Sequence, residues 1–366
     1  MAAKRLLVIS NGHGEDSIGA AIVRRLPSTI AVSAYPTLGS GGSYDGVCAI
    51  VGPRAHLRSS GSRVARGTFA GDVRAGLLST ILPGIAFARR ARRDYDEFLV
   101  VGDFVGVLGC WLSGIRNIVW VDVYKTGFGR GYGGIERRII ARTCRMVFVR
   151  HQSLADGLRR AGVDARAAGN VMMDTIPRTG VDLAPLRSHP LAVTLLPGSR
   201  AQTADNFALQ VEALRRLPEA LAPDVFLALA PGVDPQPLAD AARLALKGDS
   251  MLGDTTVLIV RGALGDLVDA SDVVLSQAGT ATVQTLGLGK PVISFTRPND
   301  RMSRHRDESA LFGDARILVK EDPAELSMTL ASLLSDAQGR TRRGTIGRER
   351  IGPPGAMDAI IAEVAR

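Results

Sequence analysis

Cysteine is scarce in this 366-residue sequence, which contains only Cys48, Cys110 and Cys144. Because the three lie far apart and form no CxxC pair, they predict neither a disulfide framework nor a zinc site. The five histidines are equally scattered, with no HExxH pair, so no set of metal ligands is indicated. We therefore expect no metal site and no bound cofactor.

Long apolar runs are also missing, although 46% of the residues are hydrophobic. No stretch approaches the roughly 18 uninterrupted apolar residues that a membrane-spanning helix needs. The first residues, MAAKR, lead directly into LLVIS, an apolar run too short for the core of a signal peptide. These features predict a cytoplasmic protein.

Lysine is scarce while arginine is abundant: lysine supplies five of the 45 basic residues, and the formal net charge is +9. An Ala-, Gly- and Arg-rich composition is also typical of GC-rich coding, so only a cluster of charge is informative. In the segment 51–93, nine arginines and the single acid Asp72 surround the apolar stretch AGLLSTILPGIAFA at 75–88. This segment fits either an anionic membrane surface or a buried helix with a basic rim. Aromatic residues make up 5% of the chain, so bases would find few stacking platforms and no nucleic-acid partner is expected.

Short apolar runs alternate with helical stretches along the whole chain. Such runs, bounded by Gly, Pro or Asp, are typical of strands that are buried on both faces and connected by helices. The predicted strands are 5–10, 30–35, 97–102, 117–122, 145–149, 191–196, 225–230, 256–260, 272–275, 291–295 and 316–319. The pattern predicts an α/β protein with two Rossmann-like, doubly wound domains.

The predicted domain boundary is the proline-containing segment GNVMMDTIPRTGVDLAPLRSHP at 169–190. We expect an N-terminal domain over 1–170, a linker over 171–190 and a second domain over 191–350. The chain breaks again at Pro353-Pro354 and restarts as a helix within 351–366. That last helix could cross back to the first domain.

One loop of the second domain follows the strand LAVTLL and contains Gly198, Ser199 and Arg200. Glycine allows close backbone approach, the N–H groups of the following helix bind anions, and arginine can form a forked contact with a phosphate. A tight turn that carries a surface arginine would have the same sequence. The loop is therefore a candidate phosphate contact.

A second loop follows the strand VVLS and reads Gly279, Thr280, Ala281 and Thr282. Small and hydroxyl residues at a helix start form a cradle of N–H groups and hydroxyls for a diphosphate. Gln284, one turn further, could reach a ribose hydroxyl. A simple N-cap accounts for one threonine but not for the whole run.

The first domain offers two candidate loops, one after each of two strands. The segment SNGHGED at 10–16 carries His13, Glu15 and Asp16, and ligands bind at this edge of a parallel sheet. Asp103 follows the strand FLVVG in the same way. Helix capping is the alternative in both cases, because acids in a first turn stabilise the helix dipole and Asp is a favoured N-cap.

These motifs together resemble the lipid-A-disaccharide synthase-related proteins, within the lipid-A-disaccharide synthase group of GT-B glycosyltransferases. The similarity covers nearly the whole chain in order. It comprises SNGHGED at 10–16, VVGDF at 100–104, GNVMMD at 169–174, PGSR at 197–200, AGTATxQxxGLGKP at 278–291 and RxxIGPPGA at 348–356.

The resemblance implies two Rossmann-like domains facing a cleft, with a UDP-sugar donor on the second domain and the acceptor on the first. Gln284 stands where the family carries a ribose-binding glutamate, and an amide can accept a ribose hydroxyl only without charge. Asp103 stands near a functionally important aspartate of the family. Inverting transfer needs a base for the acceptor hydroxyl, and we expect Asp103, with His13 as the next candidate, to be that base.

The predicted function is an inverting, metal-independent glycosyltransferase that moves a hexosamine-like sugar from a UDP-sugar to a lipid acceptor. It would be peripherally associated with the inner face of the membrane through 51–93. A nucleotide-sugar epimerase of the same fold is the first alternative, and a non-catalytic nucleotide-sugar or nucleic-acid binding protein is the second. The DxD at Asp94-Tyr95-Asp96, a metal motif of another glycosyltransferase fold, precedes a strand here and is expected to be a solvated turn.

Overall fold

The computed structural model describes residues 4–54, 77–129, 131–199, 201–298, 300 and 302–366. The chain divides into two compact units. Unit 1 comprises Met1–Thr175, Arg301–Asp307 and Gly352–Arg366, and unit 2 comprises Ile176–Asp300 and Glu308–Ile351. In the part of the chain that the structure describes, no helix combines the length and the apolar character needed to cross a membrane.

Within the described residues, unit 1 contains a sheet of seven parallel strands in the order β3-β2-β1-β4-β5-β6-β7. The strands are β1 (Lys4–Ser10), β2 (Ile30–Pro36), β3 (Ala49–Ile50), β4 (Glu97–Gly102), β5 (Ile118–Asp122), β6 (Cys144–Phe148) and β7 (Ala165–Arg166). Its helices are α1 (His13–Arg25), α2 (Leu77–Asp94), α3 (Phe104–Ser113), α4 (Gly134–Thr143), α5 (Gln152–Arg159) and, at the end of the chain, α13 (Ala356–Ala365).

Strand β1 shows why this sheet is covered on both faces. Its apolar residues alternate, so Leu6 and Val8 pack into one layer with α1 and α13. Leu7 and Ile9 pack into the other layer, with residues of α2, α3, α4 and α5. Continuous apolar strands of this kind are stable only between two layers of helices.

Unit 2 contains, among the described residues, an eight-stranded sheet in the order β10-β11-β12-β9-β8-β13-β14-β15. The strands are β8 (Ala192–Leu196), β9 (Asp224–Leu229), β10 (Ala245–Lys247), β11 (Ser250–Leu252), β12 (Val257–Arg261), β13 (Val273–Ser276), β14 (Val292–Thr296) and β15 (Arg316–Lys320). The pairs β10–β11 and β11–β12 are antiparallel, and the others are parallel. The helices between and after them are α6 (Thr203–Arg215), α7 (Gln236–Ala242), α8 (Leu264–Ala270), α9 (Thr280–Gly287), α10 (Met302–Phe312), α11 (Pro323–Ser335) and α12 (Ala337–Ile351). The residues of α10 up to Asp307 are grouped with unit 1.

Both sheets reverse their strand order at one point. In unit 1 the reversal falls between β1 and β4, and in unit 2 it falls between β8 and β13. The connections leaving two neighbouring strands at such a point run to opposite faces, which opens a crevice at the carboxyl edge of the sheet. Each unit therefore has one topologically favoured ligand position.

All eleven predicted strands are present, and the predicted fold class is confirmed. The sequence missed β3, β7, β10 and β11, which are two or three residues long. Segments this short contain too few residues to show a period-2 or continuous apolar pattern.

The motif at 169–174 binds the segment that precedes α13. The Asp174 carboxylate accepts hydrogen bonds from Gly355 N at 2.7 Å and Met357 N at 3.0 Å. Asn170 N donates to Pro353 O at 2.8 Å. Two motifs far apart in the sequence are thus joined in unit 1, where the Asp174 carboxylate bonds N–H groups at the start of α13.

The predicted linker at 171–190 is corrected by the structure, because its C-terminal part is bound to unit 2. Arg178 forms an ion pair of 2.6 Å with Asp269 on α8. Ser188 N donates to the Asp224 carboxylate at the start of β9, at 3.0 Å. Prolines indicated a break in secondary structure, but carboxylates of unit 2 hold the segment in place.

Candidate functional site

The two candidate loops of the second domain lie side by side at the reversal point of the unit 2 sheet. Gly198 follows β8 with a φ of 99°, a conformation that L-residues with side chains rarely adopt. A β-carbon at Gly198 would lie 3.6 Å from the carbonyl oxygen of Gln277, which follows β13. The backbones of the two loops are therefore in close proximity. Ser199 is exposed, and Arg200 lies outside the described residues.

The start of α9 is open on its outer side. Gly279 is exposed, and in the described part of the chain no heavy atom beyond its chain neighbours lies within 4 Å of the position a β-carbon would take there. Gly279 is the N-cap residue and has no side chain to bond the first N–H groups of the helix. Thr280 and Ala281 are half-buried behind it. An uncapped helix start with space in front of it can bind an anion.

Thr282 was predicted to contact the ligand, but the structure buries its side chain. Its side chain is 4% exposed, and its hydroxyl donates to Ala278 O at 2.6 Å and lies 2.6 Å from Ser276 Oγ. The third residue of α9 faces the sheet, so this hydroxyl fixes the turn between β13 and α9 instead. Gln284 is 5% exposed, and a ribose could reach its amide only after neighbouring side chains moved.

Two amide side chains of α6 fix the strand ends beneath these loops. Asn206 Nδ2 donates to Pro197 O at 2.8 Å, and Gln210 Nε2 donates to Leu275 O at 3.1 Å. The two amides lie one turn apart on a single helix face and bond one strand each. Neither amide was among the predicted residues, although a buried polar pair on an amphipathic helix is a recognisable signal.

Gln277 extends the sheet by its side chain. Its amide donates to Phe295 O at 2.9 Å and accepts from Phe295 N at 3.2 Å. The side chain thus pairs with β14 in the way that a backbone amide would. In the sequence, the position of Gln277 directly after a strand could have indicated this role.

In unit 1, the loops after β1 and β4 also meet at the reversal point of the sheet. Asn11 Nδ2 donates a hydrogen bond of 2.6 Å to Asp103 Oδ1. The same oxygen accepts from Val105 N at 2.9 Å, which makes Asp103 the N-cap of α3. The capping role and the position at the sheet edge therefore coexist in Asp103. Asn11 was not among the predicted site residues.

Glu15 lies beside this pair, whereas His13 faces solvent. The Glu15 carboxylate lies over Gly12, where a β-carbon would collide with it. Glu15 Cγ would be 3.5 Å from a β-carbon placed on Gly102. His13, the first residue of α1, has an exposed side chain. Thus Asn11, Glu15 and Asp103 form one polar cluster, which packs against the backbone of Gly12 and Gly102.

Asp16 was predicted to contact a ligand, but its side chain is only 1% exposed. Asp16 Oδ1 accepts a hydrogen bond of 2.6 Å from Ser10 Oγ, which lies 3.0 Å from Tyr44 Oη. Burial raises the pKa of Asp16 to about 6; the Ser10 hydrogen bond lowers it and the Glu15 charge raises it. The fourth residue of α1 faces the sheet, and there Asp16 belongs to the core.

A second buried acid organises the loop after β5. Asp122 is the register partner of Gly102, and its Oδ1 accepts from the backbone N–H groups of Tyr124 and Lys125 at 2.8 and 3.1 Å. Its Oδ2 accepts from Tyr132 Oη. Burial raises the pKa of Asp122, while the hydrogen bond from Tyr132 lowers it. This network, which was not predicted from the sequence, fixes the loop next to Asp103.

The DxD segment behaves as a turn. Asp96 accepts a hydrogen bond of 2.8 Å from Arg5 N and pairs with the Arg5 guanidinium at 3.5 Å. The backbone hydrogen bond from Arg5 lowers the pKa of Asp96 below its ordinary value. Among the described residues, no group of three or more His, Cys, Asp or Glu side chains is arranged to hold a metal ion.

No protein-family model matches this chain. One curated relative, a lipid-A-disaccharide synthase from Syntrophus aciditrophicus, is 32% identical over 143 residues, which are 37% of this chain and 35% of the relative. The match therefore spans about a third of the length of the relative.

Solved structures match over nearly the whole chain. MurG from Acinetobacter baumannii has a TM-score of 0.58 and 14% identity, with 99% of both chains covered. A UDP-GlcNAc 2-epimerase from Neisseria meningitidis, bound to UDP-GlcNAc, has a TM-score of 0.57 and 15% identity, with 98% of both chains covered. At these identities the similarity shows the fold, which is GT-B.

Proposed function

We propose that this protein uses a UDP-sugar and transfers a hexosamine-like sugar to a lipid acceptor, with inversion and without a metal ion. The observation that carries the proposal is the position of the four candidate loops. In each unit, the two loops selected from the sequence lie together at the reversal point of the sheet. This is where ligands bind in doubly wound folds.

The donor is assigned to unit 2. Its diphosphate would lie at the start of α9, against Gly279 and Thr280, with Gly198, Ser199 and Arg200 on the other side. A helix start supplies several N–H donors and a partial positive charge, and an arginine supplies a full one. Together they would stabilise the leaving diphosphate in place of a cation.

The acceptor chemistry is assigned to unit 1. The oxygen of the acceptor hydroxyl forms a bond to the anomeric carbon, and the bond from that carbon to the UDP oxygen breaks. The base takes the hydroxyl proton, and UDP leaves with the electron pair. We assign the base to Asp103, which two N–H groups orient, and the surrounding acceptor contacts to Glu15 and His13.

A lipid acceptor is supported by the outer surface of unit 1. Leu82 on α2 and Ile135 on α4 are each 74% exposed, and Val105 on α3 between them is 55% exposed. Helices α2 and α4 carry exposed arginines, namely Arg89, Arg90, Arg92, Arg93, Arg137, Arg138 and Arg142. Exposed apolar side chains on arginine-rich helices suit an anionic membrane. Residues 55–76 of the predicted membrane segment lie outside the described residues.

An epimerase is the second candidate, since a UDP-GlcNAc 2-epimerase shares the fold over nearly the whole chain. An epimerase converts a soluble nucleotide-sugar and has no use for an apolar basic surface. The exposed side chains on α2, α3 and α4 therefore favour transfer to a lipid.

One assay separates these functions. The protein is incubated with radiolabelled UDP-N-acetylglucosamine and a total bacterial lipid extract, and the label is followed into the organic phase. Transfer gives a labelled glycolipid and free UDP. A labelled epimer in the aqueous phase would replace the proposal with the epimerase, and unchanged UDP-sugar with retained binding would indicate a binding protein.

A further inference from the structure

Asn11 follows β1 directly and reaches across the reversal point to Asp103. Its Nδ2 group and the backbone N–H of Val105 both donate to Asp103 Oδ1, at 2.6 and 2.9 Å. The two donors come from different segments of the chain. Together they define the plane in which this carboxylate lies.

Glycine at position 102 makes the contact between Asn11 and Asp103 possible. A β-carbon at Gly102 would collide with Asn11 Oδ1. The φ of Gly102 is 143°, which also favours glycine. From the sheet side, the buried Trp120 donates its indole N–H to Gly102 O at 3.0 Å. The amide of Asn11 is thus packed against a backbone that is itself held in place.

The oxygen of the same amide is left unpaired. Asn11 Oδ1 is buried and has no hydrogen-bond partner among the described residues. An unpaired buried acceptor is unfavourable, so the contact of Nδ2 with Asp103 must outweigh this loss. With the amide reversed, its oxygen would face Asp103 Oδ1, an arrangement that fits only a protonated carboxyl group.

We propose that Asn11 is a positioning residue that orients Asp103 and changes its own orientation when Asp103 gains a proton. While Asp103 is ionised, Nδ2 of Asn11 donates to it, as in the structure. When Asp103 has taken the proton of the acceptor hydroxyl, the amide turns about χ2 and its oxygen accepts the new O–H. The pair thus keeps one hydrogen bond in both protonation states. The step from this pair to catalysis rests on the proposed function, in which Asp103 is the base.

Other ionisable groups surround Asp103 and must be kept constant. Glu15 approaches from α1 across Gly102. Asp122 lies at the end of the neighbouring strand β5, and Lys125 beyond it is paired with Glu136 at 3.2 Å. All of these remain unchanged in the variants below, so a difference between variants reports on Asn11 and Asp103.

The first test of the coupling between Asn11 and Asp103 needs no activity assay. The protein is labelled with ¹⁵N-asparagine, which gives five side-chain amide signals, from Asn11, Asn117, Asn170, Asn206 and Asn299. The Asn11 signals should shift as pH is lowered in the wild type and should stop shifting in Asp103→Asn. The other four amides are internal controls. Asn11 signals that do not respond to pH, or respond equally in Asp103→Asn, would overturn the proposal.

The second test uses transfer activity with radiolabelled UDP-N-acetylglucosamine and the lipid extract. Asn11→Leu removes the donor at nearly constant volume and should lower kcat at least tenfold at every pH. Asn11→Asp places two carboxyl groups at hydrogen-bond distance, which share one proton at low pH and repel each other once that proton is lost at higher pH. Its kcat relative to wild type should therefore be higher at pH 6, where the protonated carboxyl group introduced at position 11 can still donate to Asp103, than at pH 8. A merely structural role predicts the same pH profile for both variants.

The UDP affinity of each full-length variant, whose proposed donor contacts in unit 2 are unchanged, and its melting temperature control for misfolding. If the wild type transfers no sugar but its Asn11 amide signals still respond to protonation of Asp103, the proposed function is rejected. The inference about the pair of Asn11 and Asp103 then still stands. If the wild type transfers sugar, and Asp103→Asn loses this activity while Asn11→Leu keeps it, only the role of Asn11 is rejected.

Discussion

Ser10 at the end of β1 donates a hydrogen bond of 2.6 Å to Asp16, six residues later in the first turn of α1. Unit 2 repeats this relationship: Ser276 at the end of β13 lies 2.6 Å from the hydroxyl of Thr282, also six residues later, in α9. In both units a strand-final serine thus fixes the turn into the helix at the reversal point. Glu15 and Gly279, which lie in between, are left on the outer side of that turn.

Asp16→Asn should make the protein more stable at neutral pH. Burial raises the pKa of Asp16 from 3.8 to about 6, so between these values the folded protein binds more protons than the unfolded chain. Stability then falls as pH rises through this window and is flat above it, a loss of about 2–3 kcal/mol for this group. The asparagine variant keeps an acceptor for Ser10 and should lack this loss.

Urea unfolding at pH 4.5 and pH 7.5 measures the effect of Asp16→Asn. The gain in stability over wild type should be larger at pH 7.5. Asp45→Asn is a suitable control, because Asp45 is an exposed acid near the same network. Equal changes at the two pH values would show that Asp16 titrates normally in the folded protein.

The sequence predicted the strands and the loops that follow them because both depend on local order along the chain. It did not predict which residue of a helix's first turn faces outward. A shift of one residue in the helix start rotates every later side chain by about 100°. Asp16 and Thr282 were assigned to ligands for this reason, and both face the core. Asn11 and Gln277 were not predicted because an uncharged amide directly after a strand is a weaker local signal than a charged side chain there.

Gly279→Val should abolish UDP binding without unfolding the protein. The φ at this position is −86°, outside the left-handed region that favours glycine, and apart from its chain neighbours no atom of the described residues lies within 4 Å of the added β-carbon. The new side chain would occupy the space in front of α9 where the diphosphate is proposed to bind. UDP should raise the melting temperature of the wild type by mass action and should leave that of the variant unchanged.

Gly134→Val is the matched control for Gly279→Val, since Gly134 starts α4 in unit 1 and, among the described residues, also has no atom within 4 Å of an added β-carbon beyond its chain neighbours and its own helix backbone. It should keep the full shift with UDP. The double variant Arg200→Ala with Thr280→Val provides a second route, and the shift should be lost there too. An undiminished shift in Gly279→Val would place the donor elsewhere.

Leu82→Gln combined with Ile135→Gln should weaken binding to anionic vesicles. Both side chains are largely exposed on helices rich in arginine, so their replacement removes apolar insertion and keeps the charge. Co-sedimentation with vesicles of phosphatidylcholine and phosphatidylglycerol should decrease, and wild-type binding should also fall in about 1 M salt, where the Debye length is about 3 Å. Met328→Gln on α11 replaces an equally exposed side chain in unit 2 and should change nothing. If the wild type, the double variant and Met328→Gln bind the vesicles equally, this surface is not the membrane contact.

Transfer should continue in EDTA. The proposed site replaces a cation by the start of α9 and Arg200, and the DxD acid Asp96 is bonded to Arg5. The measurement is the initial rate of glycolipid formation with EDTA and with added Mg²⁺ or Mn²⁺. A rate lost in EDTA and restored by either ion would contradict metal independence and leave the donor position to be tested separately.

Asp103→Asn should lower kcat by roughly 10²–10⁴-fold, because a base that receives the acceptor proton contributes about this much. Its affinity for UDP should stay intact, since the proposed donor contacts lie in unit 2. His13→Ala should have a much smaller effect, because the His13 side chain faces solvent, whereas two N–H donors orient the Asp103 carboxylate. Asp94→Asn, at an exposed acid of the DxD segment, is the control and should keep wild-type kcat. If His13→Ala shows the large loss instead, the base is the imidazole and Asp103 orients the acceptor. If both variants keep near-wild-type kcat, the catalytic assignment fails, and Asp103 is only the N-cap of α3.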